Sequence, residues 1–172
     1  MDSLQLLVDL HQDGERQGPG GDAETLRALA MTGLDSSRPL TVADIGCGTG
    51  AASLVLAQTL DAQITAVDLF PEFLDKLKAR AADQGLANKI QTRQADMTAL
   101  PFEEQTLDLI WSEGAIYNLG FAHGVSAWRR FLKPGGVLAV TEFDRTDDDG
   151  DGLPNWYEET NGQTDGDDID GD

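Results

Sequence analysis

The sequence predicts a doubly wound α/β domain, a mainly parallel sheet of about five strands with helices on both faces. Three observations carry this. From Leu40 onward, short β-branched and apolar runs alternate with helical patterns, the order that builds a parallel sheet. The first strand runs directly into a glycine-rich turn, Gly46-Cys47-Gly48-Thr49-Gly50, and then into a helical stretch. An acid, Asp68, closes the second strand about twenty residues further on.

Bulk composition agrees with one ordinary domain plus an unusual tail. The chain has 172 residues, of which 40% are hydrophobic, enough for a real core. Its formal charge is -19. Residues 144–172 hold 12 of the 31 acidic residues and one of the 12 basic ones, so the tail carries -11 and the first 143 residues -8. That sign gives no electrostatic footprint for nucleic acid and repels anionic membranes, so neither is expected as a partner. Residues 1–14 carry Asp2, Asp9 and Asp13 and lack the basic start of a secretory leader. No apolar run approaches membrane-spanning length. With the single Cys47 excluding an internal disulfide, a cytoplasmic protein is expected.

Along the chain, the leucines at 4, 6, 7 and 10 with Val8 suggest a short helix ending by Gly14, and the glycines and proline of 16–21 read as loop. Asp22 is placed to cap a helix running to about Leu34. The alternation then predicts strand 41–45, helix 51–60, strand 63–67 and helix 71–84, opened by Pro71 and closed by Gly85. Strand 90–94, strand 107–111, helix 123–132, a turn at 133–136 and strand 137–143 follow.

In sheets of this kind ligands lie beyond the carboxyl ends of the strands, where strand order reverses. The candidates are therefore the 44–50 turn, Asp68 with Leu69, Asp96 with Met97, and residues 112–118. Asp68 is placed to accept both hydroxyls of a ribose, and Asp96 an adenine amine, with the Met97 thioether packing on the ring. Asp44 discriminates between cofactors. A carboxylate beside this turn repels a pyrophosphate but suits the ammonium and sulfonium of S-adenosylmethionine. Ala51 permits the looser dinucleotide fingerprint, which keeps a nicotinamide-dependent oxidoreductase open as a lesser alternative.

Residues 43–50, Asp68, 95–97, Phe102 with 107–111, and Leu132-Lys133-Pro134-Gly135-Gly136 together resemble a class I S-adenosylmethionine-dependent methyltransferase of the small-molecule type, over about residues 15–143. The stretches 111–118 and 16–20 resemble a bacterial subgroup of these enzymes. The resemblance implies a Rossmann-like fold and a small-molecule substrate. It implies that Gly46, Gly48 and Gly50, with Cys47 between them, make room for the cofactor, with Asp44 near its amino group, Asp68 on the ribose and Asp96 with Met97 at the adenine. Leu69 and Ser112 complete the cofactor set by position. Where the acceptor needs a base, Glu113 is the first candidate, then Tyr117 or His123. His123 also reads as a surface histidine at a helix start, Tyr117 equally as core, and Cys47 as a small buried filler.

Methyltransferases of this class continue after strand five with a further helix and an antiparallel strand pair. Nothing here resembles these, so the sheet is expected to lack its last two strands and to leave the strand-five edge open to self-association. In their place, residues 147–158 match a twelve-residue calcium loop. Asp147, Asp149 and Asp151 stand at positions 1, 3 and 5, Gly152 at 6, Leu153 at 7 with its carbonyl, Asn155 at 9 and Glu158 at 12. The loop resembles thrombospondin type 3 and EF-hand-like repeats, and residues 168–172 look like the opening of another. A fusion, a truncated gene product or a chimera would each produce this junction. The expected organisation is a methyltransferase-like domain, 1–143, and an acidic calcium-binding tail, 144–172. The rival reading is a calcium-binding or interaction module on a catalytically inactive scaffold.

Overall fold

A computed structural model of the protein describes residues 14–141 together with Val8, Leu10 and His11. The calcium-type loop, with Asp147, Asp149, Asp151, Leu153, Asn155 and Glu158, lies outside the described residues, as do most of the expected first helix and residues 142–143. The described elements are α1 (Asp22–Met31), β1 (Leu40–Ile45), α2 (Ala51–Thr59), β2 (Ala62–Asp68), α3 (Pro71–Asp83), β3 (Ile90–Gln94), β4 (Leu107–Ser112), α4 (Phe121–Trp128) and β5 (Leu132–Val140). Single 3-10 turns at Ile116–Asn118 and Arg129–Phe131 flank α4.

The five strands form one sheet in the order β3-β2-β1-β4-β5, every neighbouring pair parallel. β1 is central, with Asp44 opposite Ala66 on one side and Trp111 on the other. Strand order reverses between β1 and β4, so the crevice expected to receive a ligand opens above Ile45 and Ser112.

Each face has its own core. Val42, Ile64, Ala66, Leu109 and Trp111 pack against Leu54 and Leu56 of α2 and Leu74 and Leu77 of α3. Ala43, Ile45, Val67 and Ile110 pack against Ile116, Trp128 and Phe131 on the opposite face. This explains why β4 is buried at every position, its polar Asp108 and Ser112 included: both of its faces are covered. Fully buried side chains such as Leu56 and Leu77 each stabilise the fold by roughly 1.5–3 kcal/mol.

Three boundaries differ from the sequence expectation, each for a local reason. α1 begins after Gly21, so Asp22 is its first residue and not its cap. It stops at Met31 because the Thr32 hydroxyl donates to the Leu29 carbonyl at 2.7 Å and Gly33 turns left-handed at φ +61°. Phe121, not His123, opens α4, and the helix tightens into a 3-10 turn before Leu132. β5 begins at Leu132, since the 133–136 stretch pairs through a bulge opposite Leu107 and Leu109, with Gly135 at φ +80°.

Candidate functional site

The glycine turn is anchored before it is anything else. The amides of Gly46 and Cys47 both donate to the Val67 carbonyl, at 2.8 and 3.0 Å, tying the exit of β1 to the end of β2. Gly46, Gly48 and Gly50 take φ of +71°, +53° and +88°, conformations that L side chains rarely adopt. Each also meets a close neighbour. A Cβ at Gly46 would overlap the Ala115 methyl, one at Gly48 the Gln17 carboxamide, and one at Gly50 the Leu77 side chain. The space beside Gly50 is thus filled from α3, that beside Gly46 by the 115 segment and that beside Gly48 by Gln17.

The strand-end acids divide into buried and exposed. Asp44 is fully buried and accepts the Ser53 hydroxyl at 2.6 Å. Burial pushes its carboxyl up to about 7, against the opposing Ser53 hydrogen bond, with the charges of Glu113 and Asp68 adding to the rise. Asp68, 9% exposed, accepts the Gly48 amide on Oδ2 at 2.8 Å and the Phe70 amide on Oδ1 at 3.0 Å. Burial raises its carboxyl too, and the backbone amides of Phe70, Gly48 and Leu69 work against that rise. Asp96 is exposed and accepts the Thr98 amide and hydroxyl on one oxygen, which lowers its carboxyl. Met97 is half-buried, and its methyl would lie 3.8 Å from a Cβ at Gly46, so the end of β3 reaches the turn.

Glu113 is held on every side. Oε2 pairs with Arg16 at 2.6 Å, while Oε1 accepts the Thr25 hydroxyl at 2.8 Å and the Trp111 indole at 2.9 Å. These bonds tie the end of β4 to residues 16 and 25. Ser112 is buried and spends its hydroxyl on the Ile45 carbonyl at 2.8 Å, closing the seam between β1 and β4. Cys47 is buried, and burial raises its thiol well above the ordinary value, so it remains protonated. Leu69 is half-exposed, Tyr117 is exposed on its 3-10 turn, and His123 is exposed in the first turn of α4.

Sequence patterns do not single out Ser53, Thr25 or Arg80. Ser53 and Thr25 leave a faint signal, as polar residues on helix faces that are buried. Arg16 and Gln17 stand in the 16–20 stretch, which reads as loop by composition and carries a resemblance but no assigned role, and Gln17 Oε1 accepts the Thr49 amide at 3.2 Å. Among the described residues no group of three or more His, Cys, Asp and Glu side chains converges as a metal site.

A glycine turn with a buried acid beneath it and a second acid gripping it from β2 invites comparison with known proteins. Residues 42–136, more than half of the chain, match the family described as "Methyltransferase domain". The chain belongs to this family. Methyltransferase-domain relatives include the uncharacterized methyltransferase YodH of Bacillus subtilis, 33% identical over 124 residues that cover 72% of this chain and 51% of that protein. The chloroplastic tocopherol O-methyltransferase of Arabidopsis thaliana is 32% identical over 122 residues, covering 70% of this chain and 35% of that protein. The chain therefore spans between about a third and a half of the length of these curated relatives. In fold it is similar to the X-ray structure of YjhP from E. coli, with a TM-score of 0.70, 18% identity and coverage of 79% of this chain and 55% of that one. This methyltransferase-domain fold accounts for the five-stranded parallel order and for the position of the glycine turn at its reversal point.

Proposed function

We propose that the chain is the cofactor-binding part of an S-adenosylmethionine-dependent methyltransferase acting on a small-molecule nucleophile. Family membership supports the reaction class, and the observation that carries the cofactor reading is Asp44. A fully buried carboxylate under the glycine turn is suited to a cationic ligand and opposes a pyrophosphate, which disfavours the nicotinamide reading. The residues present fit the cofactor. Asp44 supplies negative charge beneath the turn, and Asp68 keeps lone pairs beyond the two amides it already accepts. Asp96 and Met97 follow β3, Leu69 follows β2 and Ser112 ends β4, all at the carboxyl end of the sheet where the cofactor is proposed to lie.

When bound, S-adenosylmethionine supplies a methyl group on a positively charged sulfur, already a strong donor. The protein's task is then positioning and electrostatics. Asp44 provides charge, the turn provides shape, and Glu113, held by Arg16, Thr25 and Trp111, is the first candidate for a base where the acceptor needs one. Tyr117, exposed on the 3-10 turn that follows β4, is the second candidate to meet an acceptor. Calorimetry with S-adenosylmethionine and S-adenosylhomocysteine tests the reading: saturable binding is expected, and no heat at millimolar ligand would remove it.

The same proposal treats residues 144–172 as a separate acidic, calcium-binding tail, on the spacing of Asp147, Asp149, Asp151, Leu153, Asn155 and Glu158. Calcium titration of the chain and of Asp149→Ala tests it, since an unchanged affinity in the variant excludes the loop. No described helix is long and apolar enough to cross a membrane. A cytoplasmic setting fits the single buried thiol of Cys47. Self-association through β5 rests on its position at the sheet edge, and sedimentation reads it directly.

A further inference from the structure

Residues 14–17 belong to no regular element, yet they are tied down across the mouth of the glycine turn from two directions. From α3, one Arg80 nitrogen, Nη1, donates to the Glu15 carbonyl at 2.7 Å and to the Thr49 carbonyl at 2.8 Å, joining the segment to the turn. The Thr49 hydroxyl donates to the Gly14 carbonyl at 2.9 Å. On the other side, Arg16 reaches Glu113, whose second oxygen is held by Thr25 and Trp111. Between these two fastenings Gln17 lays its carboxamide on Gly48, where a Cβ would collide with it, and accepts the Thr49 amide at 3.2 Å.

The fastenings are polar, and most are partly exposed to water. Gly14 and Glu15 are themselves exposed, and Gly18-Pro19-Gly20-Gly21, with Gly20 at φ +90°, follows as a ready pivot. A handful of such hydrogen bonds, each worth about 1 kcal/mol net, closes a segment reversibly; a packed apolar seam would not.

We propose that residues 14–17 form a strap over the cofactor crevice, fastened by Arg80 on the α3 side and by the Arg16–Glu113 pair on the β4 side, and that cofactor exchange proceeds by unfastening it. Gln17 is the strap's contact with the turn, and Arg80, Arg16 and Glu113 are positioning residues. The proposal rests on the cofactor reading above, so its test includes a measurement that needs no cofactor.

Amide hydrogen exchange on the ligand-free chain supplies that measurement. Arg80→Ala should raise exchange at the Thr49 amide and at residues 14–17 about tenfold, with β1 and β4 protection unchanged. Stopped-flow release of S-adenosylhomocysteine should accelerate by a similar factor in Arg80→Ala, Gln17→Ala and Arg16→Ala. Arg80→Lys, which retains the charge but donates fewer bonds in a fixed fork, should fall between and covers the case in which Arg80→Ala fails to fold. Unchanged exchange at Thr49 would overturn the strap. Raised exchange with unchanged release would overturn its role in cofactor exchange. Absence of binding by the unaltered chain would overturn the cofactor reading and with it the exchange step, and the hydrogen-exchange result tells that failure apart from failure of the strap.

Discussion

The Gly48 amide donates to Oδ2 of Asp68 at 2.8 Å, so the acid that ends β2 grips the turn that follows β1. One carboxylate therefore carries two duties, holding the turn and, in the proposed function, accepting the ribose. Asp68→Ala orphans the Gly48 and Phe70 amides, and a loss of about 2–4 kcal/mol in urea unfolding is expected. Cofactor affinity should fall at least about tenfold by calorimetry. Asp68→Asn, which keeps one acceptor oxygen, should be milder in both. A stability loss with intact affinity would assign Asp68 to structure alone.

Asp44 predicts a pH dependence of opposite sign for binding and for stability. Its carboxyl stands at about 7 in the fold against an ordinary 3.8. The folded state thus holds this proton more tightly than the unfolded chain, and the associated stability, gained as pH falls, is lost as pH rises through about 7. A cationic cofactor instead favours the ionised form, so affinity should rise with pH up to about 7 and level off above it. Asp44→Asn should flatten the binding profile measured between about pH 5.5 and about 8.5. Ser53→Ala, by removing the hydrogen bond that lowers the carboxyl, should move its midpoint upward.

The glycines separate strain from collision. At Gly85, φ is +70° and a Cβ would meet open space, so Gly85→Ala should cost about 1 kcal/mol, from backbone strain alone. Gly46→Ala adds a collision with Ala115 to a similar φ of +71° and should cost several times more. Thermal unfolding of the two variants side by side reads the difference, and equal costs would mean that the 115 segment yields freely.

At the opposite end of β4, Asp108 is buried and accepts Arg38 at 2.7 Å, Lys133 at 2.8 Å and the Thr41 amide at 2.9 Å. Burial raises its carboxyl, but these bonds outweigh burial and bring it down to about 2. With the folded value depressed, its stabilisation is present above about pH 4 and is lost as pH falls toward 2, an effect of roughly 2 kcal/mol. Asp108→Asn should lower Tm at about pH 7 and shrink the gap from the parent as pH approaches 2. Because the network ties β1, β4 and β5 away from the crevice, cofactor affinity should not change.

Much of this molecule is local and therefore legible. The strands and α2 and α3 follow from apolar runs, from Pro71 at the start of α3, and from Gly85, where the Leu86 amide closes on the Ala81 carbonyl at 2.7 Å. Asp44, the glycines and Asp68 stand out because each sits at a strand end. The boundaries of α1 and β5 do not, since they depend on a Thr32 side-chain bond and on a bulge facing β4, which no periodicity encodes. Glu113 is legible by position but not by role, because its partners come from residues 16, 25 and 111.

By itself the sequence determined the alternating architecture, the glycine turn and the acids around it, because those depend on periodicities of about two and 3.6 residues and on short motifs. Only the tertiary structure decided what each acid does. Arg16 meets Glu113 across 97 positions of sequence, and Gln17 meets Thr49 across 32. Contacts at such separations are set by how the sheet and helices pack, and side-chain identity alone leaves them open. That packing brings Arg16, Thr25 and Trp111 together on Glu113, sets Asp68 on the Gly48 amide and lays Gln17 over the glycine turn.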